Sequence, residues 1–579
     1  MKISSQIFFL FIPLFLSSVL LAQPQLMTGF PILDSLDGPT SSTIIADFNN
    51  DGDNEILFCV NLNTFTGRVY LTDNTGKNLE GWPKVIKDIP NYFSSAAGDI
   101  NGDGFIDIVI RVKDSIFVWG YDGSNLQGFP VFYGGGMQND DFSDALTLYD
   151  LDNDGKLEIL VNRTTKICVF NFDGSIRNGW PRDISIGNRS TFSLFTVGDL
   201  DKDGNAEVIA PVSHFNQSIM KMDSNMIYVL KDNGENFTGF PIESDSGYYF
   251  APSPATIFEN PDGNKNFIIN SNYSPNFNPF TFRVRTTTYN SNGNIISRFY
   301  TKTSYDCFGV QLGKISGSNL DIVVNSIDST YAFNSSGSEF SNWPVFAPGA
   351  NVFRASAIAK TSANMNVILG ADRQDTIGGF SERRGYLWFF NPDGSQTSWS
   401  PLRTPGIQII SPTFCDLNKD GQLDMVFVSL YSTPEINLGT IIYAFTFPGV
   451  PYNTADLPWP MYGHDRYRTN QYGFVPPDEP VSVINNNSQI PSSFILYQNY
   501  PNPFNPSTEI SFAVPKRSFI TLKIYDALGK DVFTLTNEYK PAGNYKISFD
   551  GSHYPSGVYF YTLNVDGKNI DTKRMVLLK

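Results

Sequence analysis

Two short patterns of polar and apolar positions alternate along most of this chain. In the first, acids or amides stand at every second position, a glycine follows, and an apolar run begins: residues 98–110 read GDINGDGFIDIVI. In the second, an apolar run leads through a glycine turn into Gly-aromatic-Pro: VYLTDNTGKNLEGWP, IFVWGYDGSNLQGFP, ICVFNFDGSIRNGWP and IYVLKDNGENFTGFP. Asp-Gly or Asn-Gly between apolar runs is the strongest short hairpin signal. Convincing helical periodicity is absent almost everywhere. Each unit therefore predicts about four short strands: one before the acidic loop, one after it, then a hairpin.

The two patterns run in phase. Aligned on the first acid, DFNNDGDNE, DINGDGFID, DLDNDGKLE and DLDKDGNAE start at 47, 99, 150 and 199, and DLNKDGQLD starts at 416. The first steps are 52, 51 and 49 residues, and the remaining gap of 217 holds four steps of similar length. Three worn copies fill it. FENPDGNKNFII at 258–269 keeps Asp-Gly, KISGSNLDIVV at 314–324 keeps the last acid and the strand, and TSANMNVILG at 361–370 keeps little beyond the strand. Units of this length with four strands describe propeller blades. The expectation is an all-β chain, a β-propeller of about eight four-stranded blades, with seven as the alternative count. GFP at 29–31 and LPWP at 457–460 both look like the closing element of a blade, of which one would be redundant if strand exchange between the two ends closes the ring, and WPMYGHDRYRTNQY reads as a capping or packing segment.

The flanks break the repeat. MKISSQIFFLFIPLFLSSVLLAQPQ starts with a lysine at position 2 and runs apolar from Ile7 to Leu21. That is shorter than the roughly 20 residues a membrane-spanning helix needs, so residues 1–22 read as a secretory signal peptide. No other segment could cross a bilayer as a helix, and none is expected in the mature chain. The repeats occupy 23–472. Residues 473–493, which include VPPDEPVSVINNNSQIPSS, read as a linker. Residues 494–579 alternate apolar positions with glycine turns, the pattern of a small Ig-like β-sandwich.

Composition narrows the function. The net charge of −16 argues against binding nucleic acid through its phosphates. The acid is concentrated: the five best loops hold 18 of the 57 Asp and Glu residues. Cys59, Cys168, Cys307 and Cys415 keep no fixed place in the repeat, and an exported disulfide framework would be denser. Cys59 and Cys168 lie inside apolar runs and read as buried free thiols.

The acidic loop suits calcium, which takes six to eight oxygen ligands at roughly 2.3–2.6 Å. Alternate spacing aims side chains 1, 3 and 5 at one point, the glycine at 6 permits the sharp turn, and an acid at 9 closes the site. The candidate ligands are Asp47, Asn49, Asp51, Asp53 and Glu55; Asp99, Asn101, Asp103 and Asp107; Asp150, Asp152, Asp154 and Glu158; Asp199, Asp201, Asp203 and Glu207; and Asp416, Asn418, Asp420 and Asp424. An EF-hand would need Glu at position 12, where these copies have Phe58, Ile110, Val161, Ala210 and Phe427. Dockerin-type loops fail too, since strand-like DIVIRV and EILVNR follow. Asx-rich turns without metal would crowd three or four carboxylates with nothing to offset their repulsion. About five structural Ca²⁺ ions are expected, one brace per intact loop.

With these residues in view, the loop resembles the FG-GAP or VCBS-type repeat of integrin-like propellers, over roughly 28–472. In that family calcium braces the turn between two blade strands. Over nearly all of 494–579 the motifs YPNPFNPST, IYDALGK, AGNY, SGVYFY and KRMVLLK resemble the type A sorting domain of the type IX secretion system. This resemblance implies export across both membranes, with that machinery as partner, and a product anchored to the surface or released.

Two functions follow. The first is a non-catalytic adhesion or ligand-binding propeller whose partner is a glycan or protein. The second is a propeller-scaffold polysaccharide lyase or glycoside hydrolase. The chain has only His214, His464 and His553, and His464 beside Asp465 has no nucleophile motif. No catalytic residue or organic cofactor is assigned, and YLTDNTGK at 70–77 is similar to quinoprotein blades only at the strand-turn level. The divergent unit 258–306 carries Tyr273, Phe277, Phe280, Arg283, Arg285 and Tyr289, which suit sugar or protein contact if exposed and a blade core if not.

Overall fold

The middle strands of each repeat are apolar on both faces, and this dictates their use. Asp107–Val112 is buried along its whole length. Ile108 and Ile110 pack toward the preceding repeat with Leu57 and Val69. Val109 faces the following repeat with Leu148 and Ile159. A strand whose alternating side chains are covered on both faces must belong to a sheet held between other sheets.

The computed structural model of the chain repeats this arrangement eight times. It describes residues 23–578 apart from 35–37, 40, 64–65, 88–94, 135–144, 164, 188–189, 193, 217–220, 245–247, 251–253, 274–282, 303–306, 327–328, 347–349, 378–379, 405–407, 410, 432–438, 478–492, 515–517, 528, 541–542, 553 and 566. The expected signal peptide and most of the expected linker lie outside the described residues.

Blades 1 to 8 cover residues 38–87, 95–132, 146–183, 190–243, 248–302, 307–346, 350–404 and 408–451. Strands pair antiparallel in chain order, and in blades 1 to 4, 6 and 7 the sheet ends on an outer strand of two to four residues, whereas blade 5 ends on the eight-residue Ile295–Lys302. In blades 1, 4, 5 and 8 the first strand comes in two pieces. First strands of consecutive blades pack beside one another, as Ser95–Gly98 does with Leu146–Tyr149 and Leu146–Tyr149 with Thr196–Gly198. Blade 8 returns to blade 1, where Thr43 and Thr413 hydroxyls hydrogen-bond at 2.9 Å. The ring is therefore closed and has eight members.

Closure uses strand exchange. Blade 8 lacks an outer strand of its own. Gln25–Leu26 and Ile32–Asp34 fill that place against Gly439–Pro451, with Gln25 opposite Thr446 and Ile32 opposite Ile442. GFP at 29–31 is thus a blade-closing element.

LPWP at 457–460 is not, and this corrects its reading as a blade edge. It opens a segment, residues 457–474, that lies across the first strands at the centre of the ring. Ile358 N–H donates to Trp459 C=O at 2.9 Å in blade 7, and Phe414 N–H to Pro460 C=O at 3.0 Å in blade 8. Arg468 donates to Ser42 Oγ at 3.0 Å in blade 1 and to Ser95 C=O at 3.1 Å in blade 2. Leu148 of blade 3 bonds Tyr467 C=O, and Ile257 of blade 5 bonds Asn470 C=O. In blades 4 and 6, Gly198 and Gly313 lie against Gln471 and Pro458. Arg466 and Tyr467 are each only 1% exposed. Gly98, the last residue before the second acidic loop, has no room for a β-carbon because the Tyr467 ring lies against it. The central segment therefore fills the axis at the end where the acidic loops begin.

Beyond the repeats, two sheets share one core. Ile495–Leu496, Ser507–Val514 and Gly543–Asp550 form the first; Asp531–Lys540, Ser518–Tyr525, Gly557–Val565 and Lys568–Leu577 form the second. Ile510, Phe512, Ile520, Leu522, Tyr561 and Met575 are buried between them, which makes a β-sandwich. Among the described residues no helix is long and apolar enough to cross a membrane.

Candidate metal centres

Each intact loop joins the first strand of its blade to the second, and backbone hydrogen bonds fix its acids in place. The acid at position 1 accepts the N–H of the glycine at 6 in all five: Gly52 to Asp47 at 3.0 Å, Gly104 to Asp99 at 2.7 Å, Gly155 to Asp150 at 2.8 Å, Gly204 to Asp199 at 3.3 Å and Gly421 to Asp416 at 2.9 Å. Position 5 accepts the N–H of position 7, as Asp103 does from Phe105 and Asp203 from Asn205. Position 9 accepts the N–H of position 2: Phe48 to Glu55, Ile100 to Asp107, Leu151 to Glu158, Leu200 to Glu207 and Leu417 to Asp424, all at 2.8–3.0 Å. Buried apolar residues at position 2, from Phe48 to Leu417, anchor the turn in the core. The glycine at 6 has φ between +82° and +100°, so the sharp turn there is left-handed.

Asp99, Asp150 and Asp199 accept backbone N–H groups through both oxygens, whereas Asp47, Asp416 and Asp424 use one oxygen for these bonds. In Asp47, Asp416 and Asp424 the other oxygen is buried and has no hydrogen-bond partner. A buried anion without a partner is costly, and a cation among these oxygens would remove the cost. In blade 3, oxygens of Asp150, Asp152 and Glu158 lie within 4.8 Å of one another, and in blade 4 so do those of Asp199, Asp201 and Asp203. Asn49, Asn101 and Asn418 stand at position 3 of the other loops, an amide oxygen in place of one carboxylate. The donor set is all oxygen, which fits a hard cation such as Ca²⁺.

The electrostatics agree. Burial pushes Glu55 and Glu207 up to about 8, and neighbouring aspartates add to the shift. Burial takes Asp424 to about 7. Glu158 also reaches about 7, although Arg177 stands 3.2 Å from it. Arg177 also meets Asp152 at 3.0 Å, so the blade 3 cluster carries a guanidinium against its acids. Asp53 is exposed and contributes its N–H to Asp51.

The loops are linked around the ring. Asn50 Nδ2 donates to Gly104 C=O at 2.7 Å, Asn54 Nδ2 to Asp416 C=O at 2.8 Å, and Ala206 N–H to Leu151 C=O at 3.0 Å. The worn copies keep the scaffold with fewer acids. Asp321 accepts from Ser316 at 2.8 Å, and Asn366 accepts from Thr361 at 2.9 Å.

The Gly-aromatic-Pro signature stitches neighbouring blades. Trp82, Trp180 and Trp343 donate their indole N–H to Tyr121, Asp232 and Pro392 carbonyls at 2.6–3.0 Å, each in the hairpin turn of the next blade.

The remaining candidates separate. His464 Nδ1 lies 3.2 Å from Asp465 Oδ2, and His464 Nε2 accepts from Gly473 N–H at 3.3 Å. Both are buried in the central segment, which is a packing role. His214 pairs with Asp223 at 2.7 Å on blade 4, and His553 lies outside the described residues. Cys59, Cys168 and Cys415 are buried free thiols. In the divergent unit Arg285 and Tyr289 are buried, Arg283 is exposed, and Phe277 and Phe280 lie outside the described residues. Sequence reasoning missed Tyr248 and Tyr300, which join Tyr273 and Arg283 only through strand register.

An FG-GAP-like repeat model matches residues 47–110 and 150–210, and a secretion system C-terminal sorting domain model matches 498–577. No curated protein matches the chain in sequence. Solved structures with similar backbones include the V. cholerae biofilm matrix protein Bap1, at 12% identity and TM-score 0.39, covering 76% of this chain and 94% of that one. BBS1N in complex with ARL6DN matches at 9% identity and TM-score 0.40, over 72% and 96%. The WD40 domain of SCAP from fission yeast matches at 10% and 0.36, over 74% and 98%. The chain joins FG-GAP-like repeats, built as a propeller, to a secretion system C-terminal sorting domain, and it is a secreted or outer-surface protein.

Proposed function

We propose that this protein is a calcium-braced propeller, exported by the type IX secretion machinery, that holds a glycan or protein ligand outside the cell without transforming it. Residues 23–472 would form the propeller, 473–493 a linker and 494–579 the sorting unit. The observation that carries the metal reading is the set of buried, unpartnered oxygens on Asp47, Asp416 and Asp424, inside loops whose other oxygens already hold the backbone. The five loops would each take one Ca²⁺ through the acids and amides at positions 1, 3, 5 and 9. The ion would replace hydrophobic mass at the corners of the blades. At calcium one hundred times its dissociation constant each site adds about 2.7 kcal/mol.

Equilibrium dialysis of the folded protein should recover close to five ions, and Asp103→Ala should lose one while the fold persists. Chelation should lower the melting temperature substantially. Zero uptake, or an unchanged melting curve in excess chelator, would refute the brace. The binding role draws support from export to the cell exterior.

A further inference from the structure

Blade 5 has lost its acidic set, yet the opposite end of its sheet is well organised. Tyr248 opens the first strand there, and its ring lies 4.9 Å from that of Tyr273, tilted by 37°. The Arg285 guanidinium stands 3.9 Å over the Tyr248 ring. Arg285 is 1% exposed and donates to Ser271 Oγ at 3.1 Å and Ser244 Oγ at 2.8 Å, so its plane is fixed. Strand register sets Tyr273 opposite Arg283 and Arg285 opposite Tyr300, which puts all four on one face of the sheet. Tyr300 is 54% exposed and Arg283 is exposed as well. Burial raises the Tyr248 phenol, and the nearby Arg285 and Arg283 oppose that rise.

We infer that this cluster is a binding site for an acidic glycan, a chain bearing uronate carboxylates. This assignment rests on the extracellular ligand-binding reading above. The exposed Tyr300 ring can accept the C–H side of a pyranose, a contact with large area and little conformational entropy to lose, and the packed Tyr248 and Tyr273 rings support that face. Arg283 offers a planar pair of donors matched to a carboxylate. Arg285 holds Tyr248 in place from behind, a cation–π contact that fixes the ring before any ligand arrives.

The test uses the full mature chain with calcium present, titrated calorimetrically with short oligogalacturonides, too short to gel with the ion, and with malto-oligosaccharides of equal length. Uronate binding that weakens with salt is expected, with little binding of the neutral series. Tyr300→Ala and Arg283→Ala should each weaken it about tenfold or more, and Arg283→Lys should recover part of the loss. Both side chains are exposed, so melting temperature and calcium stoichiometry should stay at wild-type values. Equal binding of the neutral sugars, unchanged affinity in both variants, or a ligand found only among proteins would overturn the assignment. Calcium uptake that persists while uronates fail to bind would sink this site alone, whereas absent calcium uptake sinks the brace.

Discussion

Gly179 shows how closely the blades are set. A β-carbon there would collide with the Asn233 backbone carbonyl of the next blade, and its φ is +86°. Gly179→Ala should cost about 3 kcal/mol, read from denaturant unfolding, because every atom it would meet is Asn233 backbone. The acids make a second residue-scale prediction. Glu55 and Glu207 near 8, and Glu158 and Asp424 near 7, lie above their ordinary values in the metal-free fold. A raised carboxyl contributes stability that is complete below its ordinary value and is lost as pH climbs through the folded one. In chelator the melting temperature should therefore fall from about pH 4 to about pH 8 and level off above that, and saturating calcium, which needs these groups ionised, should flatten that slope. Most of the loop was legible from spacing alone, because position within a tight turn decides where a carboxylate points. Arg177 was not, since it reaches Asp152 and Glu158 from the hairpin of its own blade, a contact that only sheet packing creates.

At the scale of elements, the second and third strands were readable because burial on both faces leaves near-continuous apolar runs, as in Asp107–Val112. The outer strands were not, being as short as Val131–Phe132 and Arg182–Asp183, and they are marked instead by the Gly-aromatic-Pro turn before them. The exchanged strands of blade 8 carry a prediction. Deleting residues 23–34 leaves Gly439–Pro451 as a long unpaired edge. The truncated protein should melt earlier and aggregate, measurable by light scattering on heating, because exposed edges template further pairing.

For the whole molecule, the count of eight follows from phase, while which of GFP and LPWP closes a blade could not be read because aromatic-Pro recurs in both settings. The overlooked signal was the glycine just before the loop acid, Gly98 and Gly198, where the central segment leaves no space for a side chain. That segment ties together strands from nearly every blade, so a chain ending at residue 455 should be digested by protease far faster than one ending at 477, both with calcium present. Synthesis delivers this keystone last among the propeller's parts, directly ahead of the export address at 498–577. A ribosome that stops early can release only a hollow wheel, while any molecule able to present its shipping label has already received the piece that locks its hub.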